Sequence, residues 1–455
     1  MIAQEESTTT RHAAAEPAKE AGRRRRTPAP ADLVTAVDVG TTKVCTIVGH
    51  REGDRGIRVL AHSTVPCDGL WKGNVSDVAA TADAIRESVR QVEATTGYAI
   101  KSAFIGVTGS HISFVNRRDR LGQGTRSGVI TADELARSPM SGPKERDEPG
   151  RKLIHAIRRS YTLDGVDGIR NPVGMHSRRI EVDTHVVTGG SPFIDKLARA
   201  VEEAGISITS LVLEPLASGL AVMTPLERER GAVLVDIGGG TTDVVGFSRG
   251  RICYTGVIPV GGFQFTNDIA VTFNTSYGAA EDAKLRFGSA EARPPNRGSE
   301  IMLPVAGGNA DLRLRPGDIS QLTRERAKEL ARLVRLQLDE SQIGDKVRSQ
   351  VVLTGGTSNL PGLVELMRQS LSVPVRQGVP ELRGVFPSVM KDPIYATGIG
   401  ILLWAINDYS SPAVQVETGN NTNTEVGRAG LLSGLSGRIA RLVRGAFFVT
   451  RKGTS

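Results

Sequence analysis

Two distant stretches of the chain share one layout. In LVDIGGGTTDVVGF, residues 234–247, an apolar run ends at Asp236, passes through Gly238, Gly239, Gly240, Thr241 and Thr242, and resumes at once as a second apolar run. TAVDVGTTKVCTIVG, residues 35–49, repeats the order with Asp38, Gly40, Thr41, Thr42 and Lys43. Strand, tight turn and strand predict a β-hairpin. Glycines in the turn admit positive φ and clear away side chains, so that backbone N–H groups can approach an anion closely. The threonines add hydroxyl donors. Asp38 and Asp236, at the strand ends, suit water held around a Mg²⁺ ion, which prefers oxygen ligands and keeps several waters, and Lys43 offers a point charge for a phosphate. Two such hairpins can grip one polyphosphate from opposite sides.

A third glycine turn follows. VVLTGGTSNLPGL, residues 351–363, is a strand ending in Gly355, Gly356 and Thr357 that feeds a helix near Pro361, a geometry suited to a nucleoside lying against a loop and a helix N-terminus. Neither G-x-x-x-x-G-K-[ST] nor a helix-opening G-x-G-x-x-G occurs, so Walker and dinucleotide-binding loops are not expected. Any one of these turns alone is ordinarily structural; three in this order, each after a buried strand, point to a nucleotide.

Elsewhere, runs such as SAFIGVTG and GAVLVDIG alternate with helical segments such as VAATADAIRESVRQVEATTG, which predicts an α/β architecture with mostly buried sheets. With 455 residues, 39% of them apolar, the chain has room for two or three domains' worth of core. The formal charge of +8 suits an anionic partner, and aromatics at 4% argue against a nucleic-acid surface built on stacked rings. Cys45, Cys67 and Cys253 lack C-x-x-C spacing, so neither a disulfide framework nor a zinc site is expected, and a reducing cytoplasm is the simplest setting. No window reaches the eighteen or so apolar residues of a spanning helix, and residues 1–32 carry no signal-peptide core.

The termini differ in character. Residues 1–32, rich in Ala, Pro, Glu and Arg without periodicity, are expected to be a disordered tail; its Arg23–Arg26 run either touches anionic lipid or nucleic acid or is simply solvated. Residues 410–428 are expected to be a linker. In 429–449, Leu431, Leu432, Leu435, Ile439, Leu442, Val443 and Ala446 fall on one helical face and Arg438, Arg441 and Arg444 on the other, with Phe447 adding apolar bulk. Such a helix lies in the headgroup plane of an anionic membrane, where each basic residue contributes about 1 kcal/mol and the apolar face supplies the rest. The bland alternative is a last helix docked on its own domain, but the linker before it and the arginine-rich polar face favour the membrane.

The phosphate and adenosine segments resemble those of the actin, sugar-kinase and DnaK-type ATPase superfamily. Within it the chain resembles most the bacterial cell-division protein family FtsA, through AVDVGTTKVCTIVG, GNVSDVAATADAI, GIRNPVGMHSRRIEVDTHVVTG, VDIGGGTTDVVGF, VIPVGGFQFTNDIAVTF, EDAKLRFG and VVLTGGTSNLPGLVELM through PIYATGIGILLW. The resemblance spans roughly 33–406. It implies a two-lobed actin-like ATPase fold with an inserted subdomain and a C-terminal amphipathic helix. Lobe 1 would take 33–101 and 187–231, the inserted subdomain 102–186, the core of lobe 2 232–268 and 346–409, and its small subdomain 269–345.

It further implies ATP and Mg²⁺ in the cleft, with weak or no ATPase activity. Filaments of the protein itself at the cytoplasmic face of the membrane, binding of the FtsZ C-terminal tail, and recruitment of later division proteins through the inserted subdomain belong to the same implication. Glu281 and Lys284 resemble the pair that contacts the nucleoside, although by spacing alone they are an exposed i,i+3 ion pair. LVLEPLASGLAVM, residues 211–223, resembles the first connecting helix between the lobes. Its Glu214 is either a water-orienting or Mg²⁺-shell group or a carboxylate favoured by the helix dipole, and Asp243 is a turn acid unless it faces the metal. Arg158, GMHSRR at 174–179 and the polar loop 139–150 depart from the family pattern, which leaves partner contacts of the inserted subdomain the least transferable implication. A PilM-like adaptor of pilus machinery and a kinase- or chaperone-type ATPase are the alternatives that share the fold.

Overall fold

The computed structural model describes residues 27–30, 32–52, 56–123, 128–137, 149–293, 300–307, 311–341, 343–344, 347–381 and 384–406. The expected linker 410–428 and helix 429–449, with the membrane-facing residues named on it, lie outside the described residues. So does most of the expected tail, but Thr27–Pro28 pair with Tyr98–Ala99, and the Thr27 N–H donates to the Gly97 carbonyl. The end of the expected tail is thus part of the folded lobe.

The first lobe grows from the first hairpin. Strands β1 (Leu33–Val39) and β2 (Lys43–Arg51) pair antiparallel and continue into β3 (Ile57–Pro66). Their Val- and Ile-rich middles are buried because the sheet is covered on both faces. Helix α1 (Val78–Thr96) crosses over the sheet, opened by the Asp77 carboxylate accepting from the Ala80 N–H and closed by Gly97 at φ 75°. The chain returns as β4 (Ser102–Val107), parallel to β1. Ser102–Val107 was expected in the inserted subdomain, but this pairing makes it an interior strand of lobe 1.

The insertion follows as an antiparallel sheet of β5 (Ile112–Gln123), β6 (Arg151–Leu163), β7 (Val166–Ile169) and β8 (Arg179–Gly190), in the order β7-β6-β8-β5. Ile130, Leu135, Tyr161, Leu163, Ile180 and Val182 give it a small core of its own. Helix α2 (Ser191–Glu203) and strand β9 (Ser207–Leu213) bring the chain back to lobe 1, where β9 pairs parallel with β4.

Helix α3 (Glu214–Val222) then leads to the second hairpin, β10 (Ala232–Ile237) and β11 (Thr242–Ser248), extended by β12 (Arg251–Ile258). All six residues of β10 are buried. Helices α4 (Gly262–Thr272), α5 (Tyr277–Phe287) and α6 (Pro316–Glu340) come next, then β13 (Val351–Thr354), α7 (Leu363–Leu371) and β14 (Val375–Gln377). The five strands lie in the order β12-β11-β10-β13-β14. Helix α6 serves two cores: Ile319 joins Ile269, Ala280, Ala283 and Leu303, while Ala327, Leu330, Val334 and Leu338 pack beneath β10 and β13. The expected small subdomain, 269–345, therefore takes in a whole helix whose C-terminal half belongs to the main core of lobe 2.

A second difference concerns the end of the described chain. Residues 346–409 were expected in lobe 2, yet β15 (Gly384–Val385) pairs with β3 at the edge of the lobe 1 sheet. Helix α8 (Ala396–Ile406) packs on α3, β1 and β2. It is apolar nearly all round, as a helix buried on every side must be. Gly400 makes the crossing possible: a Cβ there would run into the backbone of Ala217 on α3. Gly400→Ala is expected to destabilise the protein by at least about 2 kcal/mol, whereas Gly278→Ala on α5, with open space around it, should stabilise by about 0.5 kcal/mol. Urea denaturation of the two variants checks both signs.

Candidate functional site

The two hairpins close identically. The Gly40 N–H donates to the Lys43 carbonyl at 2.9 Å, and the Gly238 N–H donates to the Thr241 carbonyl at 2.9 Å. Asp38 stands opposite Cys45 and Asp236 opposite Asp243, each aspartate two residues before its loop's first glycine. The loops meet face to face. A Cβ on Gly239 would lie 2.7 Å from Thr42 Cγ2, and one on Gly240 would overlap the Thr41 side chain, so only glycine fits on the lobe 2 side. Thr41 is further held by its Oγ1, which accepts from the Gly73 N–H at 3.1 Å.

The third turn joins them. Strand β13 runs parallel to β10 with Thr354 beside Asp236, and Gly355 at φ 81° turns the chain directly against the Asp236 carboxylate, leaving no room for a Cβ. Thr357 Oγ1 donates to the Gly238 carbonyl at 3.0 Å, and that carbonyl also accepts from the Gly262 N–H at 2.9 Å. Lys284 Nζ reaches the same place, donating to Thr266 Oγ1 at 2.9 Å and to Glu281 Oε2 at 2.7 Å. Glu281 and Lys284 are therefore more than the exposed pair their spacing describes: the Lys284 side chain is only 16% exposed and stands behind the second loop.

Behind the loops the carboxylates crowd together. Burial, outweighing the nearby Lys43 and reinforced by Asp236, pushes Asp38 up to about 6. Burial also raises Asp243, to about 8, with Asp236 and Asp38 adding to it. Glu214 is raised well above the usual range by burial and by the charges of Asp38, Asp243 and Asp236. Asp236 is raised by burial against the hydrogen bonds from Ser218 and Thr397. Lys43 Nζ donates to the Ile394 carbonyl at 2.7 Å and lies 5.4 Å from the centre of the Tyr395 ring.

Such a cluster, made of oxygen donors with excess negative charge, has the chemistry of a site for a hard divalent cation. Cys45 does not compete, because burial keeps its thiol protonated up to about 11. Among the described residues no group of three His, Cys, Asp or Glu is placed to hold a metal directly.

Glu214 opens α3, at the helix N-terminus, and its Oε1 is buried without a hydrogen-bond partner. Both alternatives read from the sequence keep their physical basis. Asp243 is corrected: it lies within β11 rather than in the turn, buried, and its Oδ1 accepts from the Thr108 hydroxyl of lobe 1 at 2.6 Å. Ser218, Thr397 and Thr108 were not singled out from sequence. For Ser218 a signal exists, since it follows Glu214 by four residues and so shares its face of the connecting helix.

A carboxylate whose folded pKa is raised loses stability as pH climbs. For Asp243 the contribution is full below its ordinary value near 4 and is gone above about 8. Asp243→Asn keeps an acceptor for Thr108 and removes the charge. In nucleotide-free protein it should stabilise by about 2 kcal/mol or more at pH 9, with the gain fading towards pH 4. Denaturation midpoints across that range check it.

Comparison with known proteins adds lineage to this geometry. Residues 233–400 match the family model described as cell division protein FtsA, and residues 109–188 match the one described as the SHS2 domain inserted in FtsA. The cell division protein FtsA of Pseudomonas aeruginosa is 32% identical over 415 residues, covering 91% of this chain and 98% of that protein. The Bacillus subtilis protein of the same name is 31% identical over 375 residues, covering 82% and 83%. Among solved structures, a PilM–PilN type IV pilus biogenesis complex aligns with a TM-score of 0.60 at 18% identity, covering 82% of this chain and 98% of the aligned chain. MreB5 of Spiroplasma citri bound to ADP aligns with 0.51 at 14%, covering 83% and 98%. These two likenesses concern the actin-like fold.

Proposed function

The chain belongs to the FtsA family of cell-division proteins, and from that premise we propose that it binds Mg-ATP between its two hairpins, assembles with further copies at the cytoplasmic face of the membrane, and anchors FtsZ filaments there. The observation that carries the nucleotide reading is the face-to-face meeting of two loops with the same closure and the same register, each led by a buried aspartate. MreB5, similar in fold, is described as bound to ADP.

In this reading the residues act as follows. Backbone N–H groups of Gly239 and Gly240, with the hydroxyls of Thr41, Thr42 and Thr241, bind the phosphates, and Lys43 adds a point charge, while Gly40, Gly238 and Thr242, whose own donors close the hairpins and bond the Val260 carbonyl, shape the loops. Asp38 and Asp236 would hold Mg²⁺ through its water shell, and the ion would neutralise charge on the phosphates. Gly355–Thr357 and the Glu281–Lys284 pair take the nucleoside, and Glu214 faces the terminal phosphate as the water-orienting group. ATP sets the assembly state, with slow turnover or none.

The membrane half rests on residues 429–449, whose apolar face and Arg438, Arg441 and Arg444 suit anionic lipid. The FtsZ C-terminal tail is the partner that the family implies, and later division proteins are assigned to the inserted subdomain.

Lys43→Ala is expected to weaken Mg-ATP binding at least tenfold, about 1.4 kcal/mol, measured by calorimetry on the full chain. No binding to the unaltered protein would overturn the nucleotide reading. Full-length protein should pellet with anionic liposomes and bind an FtsZ tail peptide. Removing 429–455 should abolish pelleting and leave Mg-ATP and peptide binding intact; pelleting that survives the truncation would overturn the membrane assignment.

A further inference from the structure

Beside the loops, on the lobe 1 side, a small cavity is bounded by Val39, Gly73, Asn74, Thr108, His111 and Glu214. Three buried polar atoms belong to its walls and have no hydrogen-bond partner: Asn74 Oδ1, His111 Nδ1 and Glu214 Oε1. Each side chain is held by something else. Asn74 closes a short hairpin with Trp71 and donates its Nδ2 to the Lys72 carbonyl at 3.3 Å. The His111 ring lies flat on Phe193, with centroids 4.8 Å apart and 3° between the planes. Glu214 is only 7% exposed at the first residue of α3.

Leaving a buried polar group unpaired is costly, and a buried water making about three hydrogen bonds is the ordinary remedy. No residue of the two glycine loops lines the cavity, but residues of its walls touch both hairpins. Gly73 bonds Thr41 through its N–H and lies against Thr241, while Thr108 bonds Asp243. A water seated there borders the place where the two loops meet.

We propose that Asn74, His111 and Glu214 together seat the water that attacks the terminal phosphate of a bound nucleoside triphosphate, with Asn74 and His111 as positioning residues. This inference rests on the reading of the cleft as a Mg-ATP site. As the water oxygen bonds to the terminal phosphorus, the bond from that phosphorus to the bridging oxygen breaks. The nucleoside diphosphate leaves with that electron pair, and the water's proton passes to the Glu214 carboxylate. Asn74 and His111 fix the direction of approach and take no proton.

The test uses the full chain with His111→Phe, which keeps the stack on Phe193 and deletes both ring nitrogens, and Asn74→Leu. Equilibrium binding of Mg-ADP, and of Mg-ADP with aluminium fluoride, is measured beside ATP turnover. Each variant is expected to bind the aluminium fluoride complex at least tenfold more weakly while holding Mg-ADP as before. Turnover should fall at least tenfold in kcat with KM unchanged, and His111→Gln should recover part of it. An unchanged aluminium fluoride affinity, a parallel loss of Mg-ADP binding, or no turnover by the unaltered protein despite Mg-ADP binding would each overturn the proposal. Failure of the unaltered protein to bind Mg-ADP at all would instead overturn the nucleotide reading, and the inference with it. If one variant does not fold, by its melting curve, the other decides.

Discussion

Like charges buried at the meeting of two glycine turns are the constraint on which the rest of the structure depends. Asp38, Asp236, Asp243 and Glu214 repel one another in a setting that also strips them of water, and their raised pKa values are the signature of that cost. A protein retains such a cluster where a cation and polar ligands offset it. The fold meets part of the cost itself, with hydroxyls of Ser218, Thr397 and Thr108 directed at the carboxylates.

Those hydroxyls tie the site to the crossing between the lobes. Ser218 lies on α3 and Thr397 on α8, and these two helices pack so closely that Gly400 rests on the backbone of Ala217. A rearrangement of Asp236 therefore acts on both helices at once. Thr108 adds a direct bond from lobe 1 to β11 of lobe 2. The inserted sheet reaches lobe 2 as well, with Asn116 Nδ2 donating to the Cys253 carbonyl at 2.9 Å and His185 Nε2 within 3.1 Å of Thr255 Oγ1. The insertion is in this way linked to the sheet that carries the second glycine loop.

The parts of the site legible in the sequence are those whose chemistry is local. Hairpins announce themselves through an apolar run, a glycine turn and a second apolar run, and the Glu281–Lys284 pair follows from helical spacing. Asp243 was misplaced because a polar residue next to a Gly-Thr turn looks like part of that turn, whereas pairing with Asp236 puts it inside a strand. Asn74 and His111 gave no signal, since nothing local marks a residue whose importance is the atom it leaves unpaired. Domain limits are hard to read for a related reason: β4, β15 and α8 join lobe 1 through pairing and packing partners far away in the chain.

By itself the sequence determined the repeated hairpins and the α/β alternation, because each follows from the spacing of neighbouring residues and from what glycine and alternating apolar side chains permit. Only the tertiary structure decided that the two hairpins face one another, that Gly355 presses on Asp236, and that the last described helix crosses back onto the first lobe. Those are outcomes of packing between segments far apart in the chain, where close approach of backbones and the shared burial of charge, rather than local pattern, select the arrangement.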